Sequence, residues 1–387
     1  MRFYEPDSCD DCGDCLKACP TPGFEDAAAQ RLFADIREGA FVTSVLEHCT
    51  GCMSCESLCE KSAHPYGLLI ERYAERYEAS GIPWIFDGAM PRTESANLWS
   101  CLDKWLTPRE KANINVWSRP PTGKEVLFLG CNQRITPYIA DSRVFDGLEV
   151  FTAPGECCGE FYLRLGMLDE ARESALSLSR RFRELGIERV IAFCPACQNT
   201  MEHLAPGILG VDFDVETVSL VDWLAERVES GRLKLDGRAR GTATIQDPCH
   251  ASMLDAGVAE SVRELVRACG YSIREMDNCG VTAECCGIGA SIARYKLRDV
   301  MATGFRRARQ AAGTDASTTI AWCNGCYMIG NMFRIVYPVA PRVTHLVEAI
   351  QEASGEQPVR RMPRRAFDLL LAASEATARG LVSKATT

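Results

Sequence analysis

Ten cysteines fall into two matching sets of five: Cys131, Cys157, Cys158, Cys194 and Cys197, then Cys249, Cys285, Cys286, Cys323 and Cys326. Each set reads as a lone Cys, a Cys-Cys-Gly and a Cys-x2-Cys, and the run from Cys158 to Cys194 is nearly as long as that from Cys286 to Cys323. Five soft donors in one small volume is one more than a tetrahedral zinc or an ordinary iron–sulfur cube uses. The repeat therefore points to an unusual metal site, present twice.

Three uses of these thiols compete. Taken alone, Cys194-Pro195-Ala196-Cys197 reads as a thioredoxin-type redox pair, but Cys323-Asn324-Gly325-Cys326 lacks the proline, and the other six thiols stay unexplained. Two zinc sites would take eight of the ten. An iron–sulfur site with a bridging thiolate takes all of them.

Eight more cysteines precede these sets. Cys9-x2-Cys12-x2-Cys15-x3-Cys19-Pro20 matches the bacterial two-cluster ferredoxin run, and Cys49-x2-Cys52-x2-Cys55-x3-Cys59 repeats it with Glu60 in place of proline. In that pattern three close cysteines hold one cube and the fourth reaches across to the other. The match implies one cubane 4Fe-4S cluster on Cys9, Cys12, Cys15 and Cys59, and a second on Cys49, Cys52, Cys55 and Cys19. Zinc would need four ligands per site, which eight cysteines could supply, but Cys-x2-Cys-x2-Cys is not zinc-ribbon spacing. Two neighbouring cubes pass one electron each and offer no substrate pocket. His48 and His64 flank the second run, either as hydrogen-bond donors to cluster sulfur or as surface residues.

The elements that must position the five-cysteine sets read as alternating strands and helices. Apolar runs at Glu125–Gly130 and Arg189–Phe193 deliver Cys131 and Cys194, with a helix over Leu168–Leu185 and another from Cys197. The second half repeats the scheme: strands Thr242–Gln246, Tyr271–Glu275 and Thr318–Trp322, helices Val258–Ala268 and Ile292–Ala312. This predicts an α/β fold on parallel sheets, with the cysteines beyond the carboxyl ends of the strands. We divide the chain into a helical two-cluster ferredoxin domain (1–75), a largely helical connector (76–122) with a helix over Glu94–Leu106, two duplicated Rossmann-like Cys-Cys-Gly domains (123–236 and 237–352) and a tail (353–387). The Ala-rich stretch Ala27–Leu46 reads as one or two helices.

A formal charge of −9 argues against a nucleic-acid partner, which would need a basic face. The amino terminus lacks a signal peptide's apolar core and no stretch reaches 18 apolar residues, so the expected place is the cytoplasm, or the inner face of a membrane through a partner protein. In that reducing compartment 21 cysteines argue for metal ligation over disulfides.

Over roughly residues 5–350 the chain resembles heterodisulfide reductase catalytic subunits, in the form that fuses a two-cluster ferredoxin domain to two Cys-Cys-Gly domains. The resemblance implies two non-cubane 4Fe-4S clusters, one on each five-cysteine set. Some relatives that only carry electrons have lost ligands from one set or both; this chain keeps all ten. The gap from Cys131 to Cys157 is shorter than that from Cys249 to Cys285, so the first domain lacks a loop or helix. The reaction implied is two-electron reduction, or reversible formation, of a disulfide in a small molecule or a protein. Two facing one-electron sites suit it, because one acting alone would release a sulfur radical. His250, in Asp247-Pro248-Cys249-His250, occupies the place of a family histidine beside the active site and could protonate the leaving thiolate, with Asp247 orienting it. A histidine that only hydrogen-bonds cluster sulfur is the plainer alternative. No flavin or nicotinamide motif appears, so electrons come from a redox partner in a multisubunit complex: a membrane quinone or cytochrome subunit, a flavoprotein or a hydrogenase.

The rival function is a non-catalytic conduit between a flavin dehydrogenase (lactate, glycolate or glycerol-phosphate type) and a quinone pool. A third is a zinc-stabilised interaction protein. Cys269 reads as a core thiol and Cys279 as a candidate lining of the second site. The tail reads as a helix packed on its own domain or as a docking element for a membrane protein or bilayer.

Overall fold

Val126, Leu127 and Phe128 are fully buried, as a strand covered on both faces and paired on both edges must be. That strand, β1 (Glu125–Phe128), joins β2 (Glu149–Phe151), β3 (Arg189–Ala192) and β4 (Glu216–Ser219) in an all-parallel sheet of order β2-β1-β3-β4. A second parallel sheet, of β5 (Thr242–Gln246), β6 (Ser272–Ile273), β7 (Thr318–Ala321) and β8 (Arg342–His345), has the equivalent order β6-β5-β7-β8. The computed structural model describes residues 3–90, 97–153 and 155–386. In both sheets the strand order reverses beside the first strand, and the crevice opens where it reverses. Cys131 and Cys194 follow β1 and β3, and Cys249 and Cys323 follow β5 and β7, so each set sits at such a point.

The glycine of each Cys-Cys-Gly is fixed by geometry. Gly159 and Gly287 adopt φ 95° and 118°, each opening a helix (Glu160–Leu165 and Ile288–Arg294). A Cβ would lie 2.5 Å from the Ala171 oxygen at the first and 2.7 Å from the Val300 oxygen at the second. Only glycine lets the paired cysteines turn into a helix that close to the next one.

Several elements differ from their expected form. The helix expected over Ile292–Ala312 is two, Ile288–Arg294 and Arg298–Gly313, broken where Tyr295 takes φ 57°. Tyr295 donates its hydroxyl hydrogen to the Leu165 carbonyl, and Arg76 stacks 3.7 Å from its ring. Tertiary contacts set that break. The strand expected over Tyr271–Glu275 shrinks to β6. The helix expected from Cys197 starts at Pro195, directly after Cys194, and continues into a π-helical stretch, Thr200–Leu209, that contains Pro206. The Ala-rich stretch makes two helices, Asp26–Arg37 and Thr43–Leu46. Of the connector helix expected over Glu94–Leu106, residues 94–96 lie outside the described residues; Leu98–Leu102 is helical and Asp103–Trp105 a 3-10 turn.

One apolar core runs through both sheets and beneath the tail, and a second joins the ferredoxin domain to Leu163, Leu165, Ile292 and Ala293 beside the Cys-Cys-Gly helices. The tail forms a helix, Met362–Thr386, packed against Leu98–Leu102 and Asn324–Val336. Met362, Ala366, Leu369 and Ala372 face inward, while Phe367, Leu370 and Leu371 are exposed. Arg365, fully buried, donates from Nη2 to Glu110 Oε1 at 2.6 Å; Glu110, also buried, accepts in addition from the Thr107 backbone at 2.7 Å and from Arg361 at 3.2 Å.

Arg365→Met should leave the Glu110 carboxylate with the partly exposed Arg361 as its charge partner, beside the Thr107 donors. We expect a loss of about 3 kcal/mol, seen as a lower melting temperature and faster proteolysis within 353–387, with partial recovery when Glu110→Gln is added.

Candidate functional site

The two ferredoxin runs fold alike. Each places a left-handed residue after its second cysteine, Gly13 (φ 77°) and Met53 (φ 62°), and enters a one-turn helix there. Backbone N–H groups turn towards sulfur: Gly51 donates to Cys49 Sγ at 3.3 Å and Ala63 to Cys59 Sγ at 3.4 Å. Cys9, Cys12, Cys15 and Cys59 line one cavity of about 90 Å³. Cys19 has Cys52 and Cys49 as its thiol neighbours, and Cys55 also faces them. The fourth cysteine of each run thus crosses to the other run's group. His64 points elsewhere, bonding Glu56 at 2.9 Å and stacking on Phe3, and the His48 carbonyl accepts from Arg294.

The ten thiols of the paired domains form a single file of hydrogen bonds. It runs Cys131, Cys157, Cys158, Cys197, Cys194, then across the domain boundary to Cys323, Cys326, Cys286, Cys285 and Cys249. Read from its centre, the Cys194–Cys323 contact, the file is the same in both directions, so the duplication in sequence is a pseudo-twofold in space. Nine of the ten are buried and Cys131 is half-buried. The arrangement is a line rather than a shell: among the described residues no three Cys, His, Asp or Glu groups surround the point of a single ion. Hydrogen bonds from Cys157 and Cys197 hold Cys158 well below the usual thiol range against the opposing effect of burial. Those from Cys285 and Cys326 bring Cys286 down to about 5. Each set thus has a ready thiolate at the second cysteine of its pair, where a helix starts.

His250 is buried against the other domain. Its Nε2 is 2.8 Å from Arg164 Nη2 and 3.3 Å from Glu160 Oε1, and its Nδ1 is 3.1 Å from the Asn199 amide. Arg164, 3% exposed, also donates to Cys249 Sγ at 3.4 Å and pairs with Glu160. With Arg164 donating to Nε2 the ring proton sits on Nδ1, so the Asn199 oxygen, otherwise buried without a partner, belongs on the histidine side. Burial and Arg164 push His250 down, but Cys249 and Glu160 outweigh them and the net shift is upward. Glu160, despite burial, is pulled to about 2 by Arg164 and His250 and stays ionised.

Asp247 does not orient His250. It is fully buried on the opposite side of Pro248, bonded to Arg263 at 2.8 Å, the Trp322 indole N–H at 3.1 Å and the Gly280 N–H at 2.7 Å. Proline turns the chain so that strand end and 3-10 turn face different neighbours. Cys279 lies with that group, hydrogen-bonded to Arg263, and stands outside the thiol file. Cys101 and Cys269 are buried core thiols.

Sequence reasoning missed Glu160, Arg164 and Asn199. Their signal was there: the repeat counterparts of Glu160 and Arg164 are Ile288 and Ile292, so the copies part company where this polar group stands.

The ferredoxin domain meets the paired domains at the second set. Cys52, Cys249, Cys285 and Ala290 form one buried cluster, and Ser252 donates to the Cys52 carbonyl at 2.9 Å. The Cys9, Cys12, Cys15 and Cys59 group is the outlying one. Between the two paired domains opens a groove of about 480 Å³, lined by Gln198, Glu202, His203, Asp222, Met253 and Asp255 among others.

With this geometry in view, comparison with known proteins is specific. Residues 1–60 match the 4Fe-4S dicluster domain, and residues 142–202 and 243–329 match the cysteine-rich domain. The first cysteine-rich match begins beyond Cys131, in keeping with the shortened first domain. The chain is 25% identical to the D-type polypeptide of the dihydromethanophenazine:CoB–CoM heterodisulfide reductase of Methanosarcina mazei, over 92% of this chain and 95% of that one. For the corresponding polypeptide of Methanosarcina acetivorans the figures are 26%, 84% and 88%. The EtfAB:quinone oxidoreductase of Syntrophomonas wolfei is 24% identical over 40% of this chain and 21% of its own length. Fold and cysteine pattern together define an iron–sulfur redox protein built from a dicluster domain and a duplicated cysteine-rich domain. Within that class the chain is similar to the D-type heterodisulfide reductase polypeptides over nearly its whole length. Among the described residues no helix is long and apolar enough to cross a membrane.

Burial in the groove raises Glu202 from 4.5 to about 7, so the folded state holds its proton more tightly than the unfolded chain. That contribution is complete below pH 4.5 and lost as pH rises through about 7. Glu202→Gln should match the native chain at pH 4.5–5 and exceed it by about 2 kcal/mol at pH 8 in denaturant titrations, once solvent at its 27% exposed side chain is discounted.

Proposed function

We propose that the chain reduces, or in reverse forms, a disulfide between its two five-thiol sets, each holding a non-cubane 4Fe-4S cluster. Two cubane 4Fe-4S clusters would be held by Cys9, Cys12, Cys15 and Cys59, and by Cys19, Cys49, Cys52 and Cys55. The observation that carries the reading is the single file of ten thiols, nine of them buried, with its two halves meeting at Cys194 and Cys323. The surroundings fit such groups. Thr50 Oγ1, the Tyr66 hydroxyl and Asn324 Nδ2 are buried without partners beside the Cys49 and Cys323 thiols, and inorganic sulfide would accept their hydrogens.

A bound cluster supplies electrons singly, and two facing ones together supply the pair that a disulfide takes. The chain's own residues do the rest. Cys52 lies against Cys249 and Cys285, so electrons from clusters held by the ferredoxin thiols would reach the second set first. Cleavage of RS–SR consumes two electrons and two protons and yields two thiols. His250 would hold one proton beside Cys249, with Glu160 ionised to favour the charged ring and Asn199 fixing its plane. The groove carrying Glu202 and His203 leads towards Gln198, one residue beyond Cys197, and gives water or substrate a way in. The electron source is a partner protein, as the naming of the relatives as parts of larger enzymes suggests: a membrane quinone or cytochrome protein, a flavoprotein or a hydrogenase. Such a partner would hold the chain at the inner face of a membrane or leave it free in the cytoplasm.

The conduit reading keeps one support, the similarity to an EtfAB:quinone oxidoreductase over part of the chain. Replacing Cys286 or Cys326 with Ser separates the two. Disulfide reduction should disappear under our reading, while a conduit would keep electron flow to a quinone. Anaerobic analysis should find about sixteen irons per chain, four for each of the four clusters; about eight would remove the two-site mechanism.

A further inference from the structure

The two five-thiol sets are alike in ligands but not in charge. Arg164 reaches out of the first domain to donate to Cys249 of the second set, while its ion-pair partner Glu160 lies beside Cys158 of the first. Arg164 thus puts its positive charge on the second set, while the Glu160 carboxylate acts on both His250 and Cys158. By the pseudo-twofold, Ile292 stands in the second domain where Arg164 stands in the first, and it is buried and neutral.

A second cation reinforces the difference. Arg307, 4% exposed, lines a small cavity with Cys286 and Cys326. Its acceptors are all uncharged: Gln246 Oε1 at 2.8 Å, the Asn278 carbonyl at 2.8 Å and Gln310 Oε1 at 2.9 Å; its Nη2 has no partner. No carboxylate hydrogen-bonds this buried guanidinium; Asp247 and Glu284 act on it from farther off, and Cys326 of the second set acts on it next. The helices Leu168–Glu184 and Arg298–Gly313 meet their Cys-Cys-Gly turns through equivalent residues, Ala171 and Val300, which makes Leu178 the counterpart of Arg307. Leu178 is fully buried. No cation is among the groups acting most strongly on Cys157, Cys158, Cys194 and Cys197, whereas Arg164 acts on Cys249 and Cys285 of the second set; at Cys286 and Cys326 the strongest groups are again thiols and burial, and Arg307 stands beside them by position.

Positive charge and N–H···S hydrogen bonds favour the state with the extra electron. We infer that Arg164 and Arg307 hold the second five-thiol site at a higher reduction potential than the first, so the first electron comes to rest there. This rests on the proposed pair of clusters. One electron leaves the Cys19, Cys49, Cys52 and Cys55 group, which is oxidised by one, and reduces the adjacent second site; the next passes on to the first site. The lone electron therefore waits on the side of its donor, and the disulfide meets both only when both have arrived. Arg164 and Arg307 act here as positioning residues for charge and need not touch the substrate.

The test is an anaerobic redox titration of the iron-loaded full chain by electron paramagnetic resonance, with iron content measured on each sample. The native chain should give two separate midpoints for the five-thiol sites. Arg307→Gln should lower the higher midpoint by at least tenfold in the one-electron equilibrium, about 59 mV, and leave the lower one in place. Arg307→Lys should restore it, and Arg164→Gln should narrow the gap, giving an independent reading should one variant fail to load. Coincident midpoints in a fully loaded native chain, or a gap unmoved by both Gln variants, would overturn the inference alone. A native chain with only about eight irons would instead overturn the two-cluster reading beneath it.

Discussion

The thiol file at the carboxyl ends of the two sheets is the feature on which the rest of the molecule depends. Thiols crowded together away from water raise one another's pKa, and most of those in the file lie well above the usual range for that reason. Such an arrangement is tolerable only where the backbone enforces it. Two parallel sheets with the same strand order, each reversing beside its first strand, present paired loops in the same place. The left-handed glycines then swing Cys157–Cys158 and Cys285–Cys286 under the neighbouring helix with no room for a side chain. The duplicated fold is thus the means by which two sets of five are brought end to end at Cys194 and Cys323.

The duplication is broken where the ferredoxin domain docks. Its second group lies against Cys249 and Cys285, and the segment that fills the joint is the helix carrying Glu160 and Arg164, with Arg164 close to both Gly51 and Gly289. Symmetric thiols and an asymmetric polar shell fit a path with one direction, in which one set would face the donor and the other stand behind it. The histidine beside Cys249 belongs to the same shell and owes its charge balance to a glutamate from the other domain.

Much of this was legible in the sequence because the constraints are local. Val126 to Phe128 and Ala243 to Ile245 announce central strands, and cysteine spacing announces which thiols gather, including the exchange of Cys19 and Cys59 between ferredoxin runs. What stayed hidden was set by contacts distant in sequence. The short edge strand Glu216–Ser219 has too little apolar character to stand out, and Arg342–His345 little more. The break at Tyr295 depends on Leu165 and Arg76. Asp247 and His250, three residues apart, look like partners, yet Pro248 sends one to Arg263 and the other to Asn199 and Arg164. Arg307 reads as one of several arginines on an amphipathic helix until its neighbours are known.

The central claim is that the two five-thiol sites abut, close enough to act on one bond. Its most direct measurement is the magnetic interaction between them when each carries one unpaired electron. Pulsed electron paramagnetic resonance on the iron-loaded chain should find the two sites dipolar-coupled, with a splitting that vanishes when Cys286→Ser disables one of them. Two independent, unsplit signals from a fully loaded chain would contradict the account.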